Sequence, residues 1–132
     1  MLSRRLFEGT TVRGIPGLYP LTMENLMRLG LALCALLRIE ELEPVLVLED
    51  LNFLTMSVAV GFMGGGGDVK VGEGEGRLFL RHRKEGEEDI LIFEGLKEED
   101  TRKLEMILFG RYNIPRKEGK EIGRLWIRGR ML

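Results

Sequence analysis

Hydrophobic and polar positions change their period several times along the chain. Leu26, Leu29, Leu33 and Leu36 recur at intervals of three and four residues, which places them on one face of a helix. Thr22 precedes this run and has the side chain preferred at a helix N-cap. The pattern therefore predicts a largely buried helix that begins after Thr22.

Two further helices are predicted. Asn52 caps a second helix through residues 53–63, which Gly64 ends in the left-handed conformation. A third helix runs through residues 96–110, with an acidic first turn and a stop at Gly110.

Short apolar or alternating runs predict five strands, at residues 44–50, 68–72, 77–83, 89–95 and around Trp126. The first twenty residues hold three glycines and two prolines and are predicted to be mostly loop. Strand and helix alternate early, and two adjacent strands precede the third helix. This order predicts an α/β fold, a three-layer α/β/α sandwich with a mixed sheet, formed by residues 1–132 as one domain.

Composition and charge exclude several classes of protein. Hydrophobic residues make up 44% of the chain and charged residues 31%, as in an ordinary globular domain. Twenty basic and twenty-one acidic residues give a net charge of -1, so no general attraction to nucleic acid or to a membrane is expected. The apolar run at residues 26–37 is too short to cross a bilayer.

The chain has one cysteine, Cys34, which lies inside that apolar run and is predicted to be a buried, inert thiol. A cytoplasmic location is expected, because nothing indicates an oxidising compartment. The chain has no glutamine and many Glu, Lys and Arg residues, a balance typical of thermophilic proteins.

Residues 61–79 contain eight of the eighteen glycines. Glycine-rich loops can bind phosphate through backbone amides, but the lysine and hydroxyl of a P-loop do not follow here. Glu73 and Glu75 also stand where a phosphate would have to lie. We interpret the glycines as turns and a helix end.

His82 is the only histidine, so a multi-histidine metal site is excluded and no metal or cofactor is predicted. It is either a surface strand residue or a general base. Three arginines are separated by even numbers of residues in this extended strand, so they should line one face or an exposed edge: Arg77, Arg81 and Arg83. They could bind phosphate or nucleic acid, but nearby glutamates favour a protected sheet edge.

Several segments, taken in order, resemble the α-D-phosphohexomutases, the family of phosphoglucomutase and phosphomannomutase. "LFEGTTVRG" resembles the family's opening loop, L-F-G-T-S-G-I-R-G, and "LTMENLMRLGLALCALL" resembles its first helix. "GGDVKVGEG" is similar to a G-x-D-V strand, and "EIG" at residues 121–123 is similar to the end of the first domain. The agreeing positions include Leu6, Phe7, Val12, Arg13, Gly14, Leu21, Thr22, Glu24, Leu29, Gly30, Ala32, Leu33, Val45, Val47 and Asp50. The resemblance implies the first of four domains.

The chain departs from the family where the chemistry lies. The family's phosphoserine stands in T-A-S-H-N-P, whereas residues 81–86 read "RHRKEG" and contain no hydroxyl. The metal loop and the sugar-binding loop belong to later domains of the family. The resemblance therefore implies no catalytic residue and no cofactor here. It also implies that Arg13 occupies the position of an arginine that helps to build the family's active site.

Two hypotheses follow. The preferred one is a stand-alone, non-catalytic module that binds or assembles with a second copy or a separate protein, without nucleic acid or membrane. The alternative is a sugar-phosphate site that survives around Arg13, Asp50, Arg81, His82 and Arg83, in this chain alone or in one component of a split phosphohexomutase. The alternative expects Arg13, Arg81 and Arg83 to line one concave pocket.

Overall fold

One mixed β-sheet forms the centre of the structure. The computed structural model describes residues 6–109 and 122–131. Within them the strands are β1 Thr11–Gly14, β2 Val45–Leu48, β3 Asp68–Val71, β4 Leu78–Glu85, β5 Glu88–Glu94, β6 Leu125–Ile127 and β7 Arg130–Met131. Their order across the sheet is β1-β5-β4-β2-β3-β6-β7. Strand β2 is parallel to β3 and β4, and β3 is parallel to β6. The pairs β1 with β5, β5 with β4, and β6 with β7 are antiparallel. The predicted α/β class with a mixed sheet is confirmed.

The helices of this described part are α1 Met23–Ile39, α2 Phe53–Gly64 and α3 Glu98–Leu108. Both predicted N-caps are present. The Thr22 hydroxyl oxygen accepts a hydrogen bond from the Asn25 amide at 3.2 Å, and the Asn52 side chain accepts one from the Thr55 amide at 3.1 Å. Each bond satisfies an amide that the first helical turn leaves without a partner.

The helix ends differ in detail from the predictions. Helix α2 includes Gly64, and the left-handed conformation occurs two residues later, at Gly66, whose φ is 89°. The predicted left-handed cap at Gly64 is therefore wrong. Helix α3 ends at Leu108, and the predicted stop at Gly110 lies outside the described residues.

The hydrophobic core lies between the three helices and one face of the sheet. The strand residues in this core are every second one along their strands: Val12, Leu46, Leu48, Val69, Val71, Leu78, Leu80, Leu91 and Phe93. This alternation follows from the pleat, which turns successive side chains to opposite faces. We call the side that these residues face the helix face, and the other side the open face.

A short glycine-rich connection crosses the open face. Residues 72–77, named here the glycine strap, join β3 to β4, which lie on opposite sides of β2. A Cβ added to Gly76 would lie 3.0 Å from Val47 and 3.1 Å from Val45, so the strap passes directly over β2. All four residues of β2 are consequently buried, as predicted for a central strand.

The strap accounts for one difference from the expected layers. A parallel crossover usually contains a dozen or more residues and a helix, whereas this one has six. Within residues 6–109 and 122–131, the open face therefore carries the strap where the sequence led us to expect a helix.

The N-terminal segment also differs from its prediction. Residues 11–14 form strand β1, which pairs with β5 at one edge of the sheet, although this region was predicted to be mostly loop. A strand of only four residues among glycines and prolines is too short to be predicted from its own pattern. Its pairing partner, not its own pattern, makes it a strand.

Candidate functional site

Strands β1, β4 and β5 bring the three predicted arginines to the same face. Ile90 of β5 pairs with Arg13 on one side and with Arg83 on the other. Arg81 lies two residues before Arg83 on the same strand. Because paired residues point to the same side and sides alternate along a strand, all three arginines lie on the open face. Ile90 separates Arg13 from Arg83, and the strand spacing places their α-carbons about 10 Å apart.

Arg13 is surrounded by carboxylates. Its guanidinium lies 3.6 Å from Glu8, 3.5 Å from Glu85 and 3.5 Å from Glu88. All four side chains are substantially exposed to solvent, and such pairs contribute only about 0–1 kcal/mol each to stability. An anion approaching Arg13 would meet three negative charges for one positive charge.

Arg81 has a similar environment at the junction of β2 and β4. Its guanidinium lies 3.6 Å from Glu49 and 3.3 Å from Glu94. Arg83 forms no ion pair within the part of the chain that the structure describes. Residues 81–85 also extend beyond the end of β2 and pair only with β5. Arg81 and Arg83 thus lie on the β4–β5 hairpin, Arg13 lies on the adjacent strand β1, and ion pairs hold Arg13 and Arg81.

His82 points away from the arginines. It belongs to the helix face, where its Nε2 lies 2.5 Å from the Asp89 carboxylate. Asp89 is only 4% exposed, and its second carboxylate oxygen has no hydrogen-bond partner among the described residues. His82 therefore interacts with a buried carboxylate, and the sheet separates it from the arginines.

Asp50 shapes the turn that leads into α2. Its carboxylate accepts a hydrogen bond from the Leu51 amide at 2.8 Å, and its carbonyl oxygen accepts one from the Thr55 hydroxyl at 2.9 Å. Its neighbour Glu49 makes the contact with Arg81. The sequence did not indicate Glu49, because only the adjacency of β2 and β4 shows that Glu49 and Arg81 can meet.

Few other reactive groups are available. Cys34 is buried, as predicted, and burial raises the pKa of its thiol. Among residues 6–109 and 122–131, no cluster of three or more His, Cys, Asp or Glu side chains could hold a metal ion. In the same ranges, no helix has both the length and the apolar character needed to cross a membrane.

The outer side of α2 is unusually apolar for a surface that faces solvent. Phe53, Met56 and Val60 are 62%, 46% and 42% exposed, and their spacing of three and four residues places them on one stripe. Residues 53–64 contain no charged side chain. We name these three side chains the α2 stripe. A solvent-facing helix normally carries charges on its outer side, so this surface is suited to contact with another apolar surface.

Comparison with known proteins shows the fold and little more. No family model matches the sequence, and no curated protein matches it. Among solved structures, the chain is similar to a phosphoglucomutase/phosphomannomutase family protein from Burkholderia thailandensis. The TM-score is 0.69 with 16% identity, and the match covers 96% of this chain and 33% of that one. The chain thus has a phosphohexomutase-like α/β fold and spans about a third of that protein's length.

Proposed function

We propose that the protein is a non-catalytic binding or assembly module with a phosphohexomutase-like fold. The α2 stripe is the observation that carries this proposal, since three large apolar side chains lie in solvent on a helix without charge. Contact with a partner would remove them from water and gain about 25 cal/mol for each Å² of apolar surface buried.

The chemistry of the chain supports a module that acts without catalysis. Residues 81–86 contain no hydroxyl that could accept a phosphoryl group. Two of the three arginines that could meet a phosphate, Arg13 and Arg81, already lie beside five carboxylates in total. Phosphoryl transfer needs positive charge directed at the transferred group, and this arrangement supplies little of it.

The test compares two exposed methionines. Met56→Glu places a charge in the α2 stripe, and Met131→Glu makes the same change at a methionine of similar exposure on strand β7. Sedimentation velocity over a roughly hundredfold range of protein concentration measures self-association. Affinity capture from the native host, followed by mass spectrometry, measures binding to a separate protein.

We expect Met56→Glu to abolish the association that the wild-type protein shows, and Met131→Glu to preserve it. Both variants should unfold at temperatures close to that of the wild type, because both positions are exposed. If Met56→Glu changes neither the sedimentation profile nor the captured proteins, the α2 stripe is not the contact surface.

The alternative of a surviving sugar-phosphate site is favoured by one observation, the shared face of Arg13, Arg81 and Arg83. Thermal unfolding with hexose phosphates and Mg²⁺ tests it. A rise in the unfolding temperature that Arg83→Gln removes would support this function. No change at millimolar ligand would argue against it.

A further inference from the structure

A second surface feature lies on the open face, beyond the arginines. A cavity of about 310 Å³ is lined by Lys70, Glu73, Gly74, Trp126 and Gly129. It is bounded by the glycine strap on one side and by the turn between β6 and β7 on the other. None of the residues proposed above for binding or assembly contributes to it.

The Trp126 indole and the aliphatic stem of Lys70 both line the cavity. Lys70 of β3 and Trp126 of β6 are paired in the sheet, so their side chains lie next to each other on the open face. Two walls have no side chain, since they are formed by Gly74 and Gly129. The Gly74 backbone packs against the Lys70 stem, since an added Cβ would overlap the Lys70 Cδ and lie 3.0 Å from the Lys70 Cβ.

The Lys70 ammonium and the Glu73 carboxylate, two groups of opposite charge at the cavity, can each form further hydrogen bonds. The Lys70 ammonium donates to the Glu75 carbonyl oxygen at 3.3 Å and has two further N–H donors. The Glu73 carboxylate forms no hydrogen bond or ion pair within the described residues, and one of its oxygens lies 3.8 Å from the Cβ position of Gly129. The cavity thus offers a cationic donor, an anionic acceptor and an aromatic surface.

These groups select a particular ligand chemistry. A phosphate would be repelled by Glu73, whereas a neutral planar ring can stack on the Trp126 indole. The ring must accept hydrogen bonds from the Lys70 ammonium and donate them to the Glu73 carboxylate. Guanine meets both needs with pairs of atoms, since O6 and N7 accept while N1–H and the N2 amino group donate. We propose that this cavity binds a guanine base, either as a free nucleoside or within a single strand.

Trp126 is the only tryptophan in the chain, so its fluorescence reports on this cavity directly. Guanosine is the probe, adenosine is the comparison, and excitation at the red edge of the indole band limits absorption by the bases. We expect a saturable change with guanosine and at least about tenfold weaker binding of adenosine, whose amino group would face Lys70. No saturable change with guanosine, or equal affinity for both nucleosides, would overturn the proposal.

Variants separate the two polar contacts from general effects. Glu73→Gln and Lys70→Met should each weaken guanosine binding by about tenfold or more. Glu75→Gln, on the same strap but not at the cavity, and Lys103→Met, on α3, are the matched controls and should bind as the wild type does. Thermal unfolding checks that each variant is folded. Equal effects of Glu73→Gln and Glu75→Gln would contradict the assigned contact.

Comparing a pentanucleotide with a free nucleoside shows whether the natural ligand is single-stranded RNA or the nucleoside itself. The RNA pentamer UUGUU is compared with UUAUU and with guanosine in the same titration. Binding of UUGUU at least about tenfold tighter than guanosine would assign the site to single-stranded RNA. Equal or weaker binding would assign it to the free nucleoside. A pentamer containing adenine that binds as tightly as UUGUU would refute recognition of guanine.

Discussion

Substitution of Gly30 by alanine should destabilise the protein strongly, because α1 and α2 cross in backbone contact at this residue. An added Cβ would lie 2.8 Å from the Phe62 amide nitrogen and 2.9 Å from the Val58 carbonyl carbon, with the Val58 oxygen closer still. Ordinary contacts of a Cβ begin at 3.4 Å. Gly61 faces the same crossing, where its added Cβ would meet the Met27 backbone.

The size of the destabilisation depends on how far the two helices can shift to make room for the added Cβ. Backbone atoms cannot change rotamer, so the two helices would have to separate along buried surface. Overpacking of this kind costs about 1–3 kcal/mol and occasionally more. The higher helix propensity of alanine raises the free energy of unfolding by about 1 kcal/mol and offsets part of this cost. The overpacking cost should be near the upper end of this range, about 3 kcal/mol, so we expect a net loss of about 2 kcal/mol in the free energy of unfolding.

Urea denaturation followed by circular dichroism measures this loss as a lower midpoint at an unchanged slope. Gly64→Ala is the matched control, since Gly64 is also in a helix but an added Cβ there would meet nothing within 4 Å. This control should leave stability unchanged or raise it slightly. If Gly30→Ala is as stable as Gly64→Ala, the two helices do not cross in backbone contact at Gly30.

Three more predictions concern the core and the strap. His82→Ala should cost about 2–4 kcal/mol in urea denaturation, because it leaves the buried Asp89 carboxylate without its partner, and the double variant with Asp89→Ala should recover part of this loss. Cys34 should react with a thiol reagent far more slowly in the native than in the urea-unfolded protein. Since burial raises its pKa above the ordinary 9.0, its contribution to stability should be present below pH 9.0 and be lost as pH rises through the native pKa, a slope that Cys34→Ala removes. Gly76→Ala should cost about 1 kcal/mol, since its Cβ would press on Val47, and an unchanged denaturation midpoint would show that the strap can move away.

The local parts of the fold could be predicted because they depend on neighbouring residues in the chain. The N-cap of α1 at Thr22, the N-cap of α2 at Asn52 and the buried run of β2 all rest on side chains within a few positions. The resemblance to the phosphohexomutases extended this to the order of elements, and the structural likeness supports it. Strand β1 was missed, since its partner β5 lies almost eighty residues later in the chain.

The candidate site was predictable only in part. Parity predicted that Arg81 and Arg83 lie on one face of their strand. The same alternation places His82 on the other face, so the hypothesis of one site that includes His82 and both arginines was wrong in this respect. No pattern within the chain indicated that Glu49 would reach Arg81 or that Trp126 would pair with Lys70. These contacts depend on which strands are neighbours in the sheet.

The sequence by itself determined the helices, most of the strands and the absence of a hydroxyl at residues 81–86, since these are properties of short segments. Tertiary structure alone decided that Gly30 and Gly61 each face the backbone of the opposite helix, that the glycine strap covers β2, and that carboxylates surround Arg13. The physical reason is that periodicity fixes the face on which a side chain lies. The side chain's contacts depend on the long-range topology of the sheet, in which residues far apart in the chain become neighbours.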